Sequence, residues 1–268
     1  YDVYHKLEAF EAMVKSRLIK SGLCHADETG ININGKRVWL HCVSNDLWSY
    51  YRPHEKRGME AMEEMGVLPH FKGILCHDHW KPYFNLDCLH ALCNAHHLRE
   101  LERAWEQDKQ DWARDMRELL LQINQAADDA GGRLEPEESR EFRQKYRDLL
   151  DKAENECLPP DESKKKNKRG RTKRSKARNL LERLMDFETE TLRFMDDEQV
   201  PFTNNRGEND IRMTKVQQKI SGCFRSVEGA AIFCRIRSYL STCKKHGMRA
   251  TKALRLLFEG RLPDFMNE

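Results

Sequence analysis

The dipeptide Asn34-Gly35 sits between two stretches in which apolar and polar side chains alternate. Asn and Gly both accept the positive φ that the centre of a tight hairpin turn requires, so the flanking stretches predict two paired antiparallel strands. The first lies in "GLCHADETGI" and the second in "NINGKRVWLHCV", and "LWSYYRP" supplies a third, aromatic strand ended by Pro53. This is a three-stranded meander. "EKRGMEAMEEMGV" then reads as a short helix with Gly66 near its end, and "FKGILCHD" as a fourth strand. A right-handed crossover through that helix requires the fourth strand to lie beside the first.

The rest of the chain is mostly helical. Leu7, Phe10, Val14 and Leu18 recur at helical spacing before Gly22, which predicts a leading helix within residues 1–22. Residues 23–97 hold the strands, and "LHALCNAH" reads as either a fifth strand or a helix start. Residues 98–200 form a helical insertion. One apolar stripe runs through Leu98, Leu101, Trp105, Trp112, Met116, Leu119 and Ile123 until Gly131-Gly132 breaks it, and a second runs through Phe142, Tyr146, Leu149, Leu150 and Ala153. Residues 201–268 complete the core with helices expected at 204–220, 227–246 and 250–259. The fold class is α/β, with a mixed sheet of three antiparallel strands and then parallel ones.

Charge is uneven. A basic linker spans 162–178, and within it "KKKNKRGRTKRSKAR" (164–178) carries ten basic and no acidic side chains. Of a net charge of +3, that leaves −7 on everything else. Such a run repels itself and meets polyanions, or serves as a solvated linker. No apolar stretch approaches the roughly 20 residues of a membrane span. Nine cysteines, an odd number without a CxxC pair, read as reduced thiols and favour the cytoplasm. The chain opens on Tyr1 rather than Met, which is what a fragment of a longer polypeptide shows.

Two acids stand at strand positions 51 residues apart: Asp27 in "HADETG" and Asp78 in "CHDHW". Strand, hairpin, strand, helix, strand is the order of a ribonuclease-H-like core, whose first and fourth strands are neighbours, so the two carboxylates come together. They repel unless a cation lies between them, and Mg²⁺ takes a few carboxylates plus waters and phosphate oxygens. A third acid, Glu208 in "FTNNRGENDIR", falls in the first turns of a helix that Asn204 or Asn205 can cap. Three carboxylates can hold two ions roughly 3.5–4 Å apart for in-line phosphoryl transfer. Each acid also has a plain structural reading: Asp27 as a strand-end residue, Asp78 as a cap on the turn before Pro82, Glu208 as a solvated helix residue.

The strings "HADETG", "HDHW.PYF.....HALCNAHHLREL", "NN..EN.IR" and "KISGCFRS.EGA..F.RIRSYLSTC" resemble the catalytic region of the insertion-sequence-66 family of bacterial DDE transposases, over residues 20 to 260. The resemblance implies a ribonuclease-H-like fold interrupted by a helical insertion, with Asp27, Asp78 and Glu208 as catalytic acids and metal ligands for two Mg²⁺ or Mn²⁺ ions. It implies phosphodiester hydrolysis at the ends of a mobile element followed by strand transfer into target DNA. The partners it implies are double-stranded DNA, a second copy of the chain in a DNA complex, and accessory transposition proteins, in the bacterial cytoplasm at the nucleoid. Arg206-Gly207 depart from the apolar or small residues that relatives often carry before the Glu, and the relatives' N-terminal DNA-binding region lies outside this chain.

Cys88, His90, Cys93, His96 and His97 form a dense Cys/His cluster, but Cys93-x-x-His96 is only half of a zinc pattern. It is similar to the Cys-x-x-His string that several DDE families carry after the second Asp, which assigns His96 and Cys93 a supporting role. A hydrogen-bonded core histidine is the alternative. His77 and His79 flank Asp78 within reach of phosphate or water near such ions; strand alternation turns one of the two to the opposite side, and neither is read as catalytic. Lys164, Lys165, Lys166, Lys168, Arg169, Arg171, Lys173 and Arg174 of the basic run, with Lys215, Lys219 and Arg225 after Glu208, are the candidate contacts to DNA phosphates. Arg235, Arg237, Lys244 and Lys245 continue that basic series. Glycine-rich phosphate loops, nucleophile elbows and HExxH strings do not occur. Two rivals stay open: a nuclease of the same fold that never joins strands, and an idle DNA-binding remnant.

Overall fold

Asn34 and Gly35 take φ values of 48° and 83°, as the hairpin requires. They join β1 (Leu23–Ile33) to β2 (Lys36–Ser44), which pair antiparallel from Ile33 with Lys36 to His25 with Ser44. The computed structural model describes residues 2–160 and 172–266. β3 (Ser49–His54) pairs antiparallel with β2. Pro53 does not end this strand but sits inside it opposite Leu40, which β3 tolerates because it is the sheet edge and needs fewer ladder donors.

α3 (Met59–Met65) stops at Gly66, whose left-handed φ of 66° closes the helix. The crossover then delivers β4 (Ile74–His77) parallel to β1, with Leu23 opposite Ile74, Cys24 opposite Leu75 and His25 opposite Cys76. The "LHALCNAH" stretch is both of its readings in turn: β5 (Leu89–Leu92), then α4 (Asn94–Glu106). The five-stranded mixed sheet has the order β3-β2-β1-β4-β5.

The chain divides into two compact units, Tyr1–His90 with Asn204–Glu268, and Ala91–Thr203. In the first, alternation along β1 feeds two cores. Cys24 and Ala26 join Phe10, Val14 and Leu18 of α2 (Glu8–Ile19) and Met62 and Met65 of α3. Ile31 and Ile33 face the other way, onto Ile211 of α9 (Asn205–Ser221) and Ala230 and Cys234 of α10 (Val227–Lys245). The leading helix is broken at Leu7, with α1 (Asp2–Lys6) before it, and α11 (Ala250–Phe258) closes the unit. Two α10 hydroxyls cover the sheet edge: Ser238 Oγ accepts from Tyr51 N–H at 3.0 Å and Thr242 Oγ1 from Ser49 N–H at 3.2 Å.

The second unit is helical. The first apolar stripe belongs to two helices, α4 and α5 (Asp111–Asp129), separated by a turn in which Lys109 has a left-handed φ of 58°. Trp105 is accordingly 37% exposed, whereas Trp112, Met116 and Ile123 are buried. α6 (Pro136–Glu156) and α7 (Lys176–Asp186) pack through Tyr146, whose hydroxyl donates to Leu184 O at 2.8 Å, and α8 (Glu188–Leu192) follows. Asn94 N–H donates to Phe202 O at 3.1 Å, so the unit's two chain ends lie side by side.

Among the described residues no cysteine forms a disulfide, and no helix is long and apolar enough to cross a membrane.

Candidate functional site

β1 and β4 run parallel with a constant offset of 51 residues, and the same offset, continued two residues past the last pair of His25 with Cys76, would carry Asp27 level with Asp78. Alternation along β1 puts Asp27 on the side of Ile31 and Ile33, against which α9 packs, and Asp78 follows directly after β4. Asp27 Oδ1 accepts its neighbour Glu28's N–H at 2.8 Å, and Asp78 Oδ1 accepts Trp80 N–H at 3.0 Å. Asp78 therefore does cap the turn before Pro82. Burial first, then the charges of Glu28 and Asp78, push the Asp27 carboxyl up to about 7, with Lys215 pulling the other way.

The start of α9 is fastened to β1 by an amide. Asn204 precedes the helix without capping it by a side-chain bond; instead its Oδ1 accepts from His25 Nδ1 at 2.7 Å and its Nδ2 donates to Ala26 O at 2.9 Å. The expected cap residue thus serves the sheet and not the helix. Gly207 allows this, because a Cβ there would lie 3.0 Å from the Asn204 amide. Gly207 is thus a fitted contact. Asn204, Glu208, Ile211 and Lys215 follow one another at helical spacing on one side of α9, and Ile211 is buried against the sheet. Asp210, further along the helix, is held by Lys245 Nζ at 2.8 Å, while its carbonyl accepts from Tyr51 O–H at 3.0 Å. Arg206 pairs with Asp46 in the β2–β3 turn.

Glu28 is the acid that the sequence reading passed over. Its side chain is 2% exposed, and it accepts hydrogen bonds from Arg57 Nε at 2.8 Å, Arg57 Nη2 at 2.5 Å and Tyr83 O–H at 2.5 Å. The only sequence signal was its adjacency to Asp27 in "HADETG"; strand alternation turns it to the opposite sheet face. On that face His77 is fully buried, donates from Nδ1 to Asp78 O and accepts from His90 Nδ1 at 3.0 Å. His90 and His97 are core histidines, the latter bonded to Asn94 Oδ1 at 3.0 Å. Cys93 and His96 belong to the helical unit, Cys93 buried at the N-cap position of α4 and His96 in its first turn.

Of the basic candidates, Lys215, Lys219 and Arg225 are exposed. Arg225 lies next to Phe224, which bridges to the end of β1 through Asn34 N–H to Phe224 O at 2.8 Å. The later members of the series are partly used inside the fold: Arg235 pairs with Glu11 at 2.5 Å, and Lys245 also donates to Asn45 O and Trp48 O. Lys164, Lys165, Lys166, Lys168, Arg169 and Arg171 lie outside the described residues, as does most of the linker assigned to 162–178. Lys173 is exposed, and Arg174 pairs with Glu182 at 2.5 Å. Arg178, at the end of the run, is a buried structural residue, paired with Glu154 at 2.8 Å and Glu182 at 2.9 Å.

Among the described residues Asp27, Asp78 and Glu208 do not bring ligand atoms within 4.8 Å of one another as a set; His54, Glu60 and Glu64 do, but both carboxylates already face cations, Lys56 at 2.5 Å and Arg52 at 3.6 Å.

A five-stranded mixed α/β core, interrupted in sequence by a helical unit, defines the class of fold. The sequence profile of the Transposase IS66 family matches residues 1–232, and the chain belongs to that family. A search of curated proteins found no match.

Proposed function

We propose that this chain is the catalytic region of a DDE transposase on a ribonuclease-H-like core, with Asp27, Asp78 and Glu208 as its acids. One observation carries the reading: the parallel β1–β4 register, whose 51-residue offset would carry Asp27 level with Asp78 if continued, beside α9, the helix of Glu208. Family membership supports the transposase role in general.

The donor set fits divalent metal. A carboxyl pushed to about 7 by burial and by two neighbouring acids ionises at neutral pH at a cost that a cation removes. An all-carboxylate set suits Mg²⁺ or Mn²⁺. When bound, two such ions would supply charge stabilisation to the attacking and leaving oxygens of phosphodiester hydrolysis and strand transfer. Asp27, Asp78 and Glu208 would hold them. The Trp80 N–H fixes the orientation of Asp78, the Asn204 amide anchors the Glu208 helix, and Lys215 offers positive charge beside Asp27 for a DNA phosphate. Lys219, Arg225 and the basic run would hold the DNA backbone, in a cytoplasmic, nucleoid-bound complex of two copies that brings two element ends together.

The test is an end-cleavage and strand-joining assay on labelled duplexes with Mg²⁺ or Mn²⁺, comparing the wild type with Asp27→Asn, Asp78→Asn and Glu208→Gln. Each variant should lose at least about 100-fold in both steps, the scale of removing a charge-stabilising group at a reacting centre. Cleavage without joining would favour the nuclease reading. DNA transactions unchanged in Glu208→Gln would favour the idle remnant. The role of His96 and Cys93 as supports is read from the same assay, as a partial loss in His96→Ala.

A further inference from the structure

On the sheet face opposite α9, four side chains stack in alternation. The Arg37 guanidinium carbon lies 4.9 Å from the centre of the Trp39 ring, and that of Arg57 lies 4.8 Å from the same ring and 4.4 Å from Trp80. Each member is placed by the backbone. Trp39 stands opposite Gly30 in the β1–β2 pairing, and the missing Cβ of Gly30 makes room for Arg37, whose Nε would lie 2.8 Å from such an atom. Arg57 is gripped by the buried Glu28, and the Trp80 N–H is bonded to Asp78 Oδ1. The stack thus starts two residues from Asp78 and runs to the hairpin.

This arrangement has a chemical meaning. A guanidinium lying on an aromatic face keeps its N–H edge for other partners, and its planar fork matches a phosphate in two places. The stacked guanidiniums occupy ring faces of Trp39 and Trp80, so the feature offers donors to a backbone more than platforms to bases. Arg37 is exposed and the Arg57 side chain is 37% exposed. Glu28 takes the Nε–Nη2 edge of Arg57 and fixes its place, so Arg57 braces the stack and Arg37 supplies its main phosphate donors.

We propose that Arg37, Trp39, Arg57 and Trp80 form a track for a DNA phosphodiester backbone along the sheet face opposite α9. The proposal rests on the transposase reading for its substrate and adds the surface by which that substrate approaches.

Arg37→Ala is the cleanest test, because Arg57→Ala would strand the buried Glu28. Fluorescence anisotropy of the full chain with labelled duplexes of two unrelated sequences, across a series of salt concentrations, should show weaker binding to both. The log–log salt slope should become shallower by about 1, the loss of one phosphate contact. Trp39→Leu keeps both charges but unstacks them; it should weaken binding several-fold with the slope unchanged. Wild-type affinity and slope in both variants would overturn the track, and so would a loss confined to single-stranded DNA, which would point to base stacking. If the wild type cleaves element ends while Arg37→Ala binds normally, the track alone fails. If Arg37→Ala changes the slope while the wild type cleaves nothing, the track stands and the transposase reading fails.

Discussion

Asn204 at the head of α9 and His25 in β1 share a 2.7 Å hydrogen bond, and the same Asn204 amide donates to Ala26 O at 2.9 Å. One side chain therefore sets where the Glu208 helix begins relative to the Asp27 strand, across 179 positions of sequence. Asn204→Ala should lower stability by about 1–3 kcal/mol, because it leaves a buried imidazole and a buried carbonyl unpaired. Urea unfolding measures this. Strand cleavage should fall further than stability predicts, since the folded fraction keeps a misplaced α9.

Gly73→Ala is expected to be among the most damaging single-methyl changes in the chain. A Cβ at Gly73 would lie 2.4 Å from Gly22 O and 2.7 Å from Ser21 O, both backbone atoms that a side-chain movement cannot clear. Gly22 O also accepts the Ile74 N–H at 2.8 Å, so the strain falls on the start of the β1–β4 pairing. Overpacking costs typically about 1–3 kcal/mol, and here it acts on the β1–β4 register. A fall in melting temperature with loss of cleavage is the expected result; wild-type values for both would refute the account.

The Asp27 carboxyl links stability to pH and to divalent cations. Its folded value of about 7 exceeds the ordinary 3.8, so between those values the folded chain binds more protons than the unfolded one. Stability should consequently fall as pH rises from about 4 to about 7, by up to roughly 4 kcal/mol from this group alone. Mg²⁺ should restore much of it at pH 8 and little at pH 5. Asp27→Asn should be more stable than the wild type at pH 8 without Mg²⁺, and indifferent to the ion. Thermal melts with and without Mg²⁺ decide this.

Three buried histidines act in the opposite sense. Burial lowers His25 and His41 to about 4 and His77 to about 3, all below the ordinary 6.5. Their contribution is fully present above pH 6.5 and is lost as pH falls toward 4, where the unfolded chain binds the protons first. Three such groups outweigh the single Asp27 in that range, so denaturant midpoints should drop between pH 6.5 and 4.5. His41→Gln should reduce the slope by about one proton. Midpoints that rise on acidification would contradict the assignment.

Much of this architecture is written locally. Asn34-Gly35 specifies its turn because few residue pairs accept two positive φ values, Gly66 stops α3 for the same reason, and the apolar spacing of 204–220, 227–246 and 250–259 anticipates three helices observed at Asn205–Ser221, Val227–Lys245 and Ala250–Phe258. The neighbouring of β1 and β4 was legible at one remove, through strand order. What a sequence cannot express is the choice among chemically equal partners. Nothing in the string distinguishes the exposed Lys215 from Lys245, which is tied to Asp210, or Arg225 from Arg235, which is tied to Glu11. Glu28 looked like a second acid beside Asp27, and only the pleat turned it away to grip Arg57. Asn204 looked like a helix cap, and only the approach of β1 gave its amide better partners. Local conformation follows from dihedral preferences and periodicity within a few residues; partner choice follows from which backbone arrives within hydrogen-bond reach, and the folded chain alone decides that.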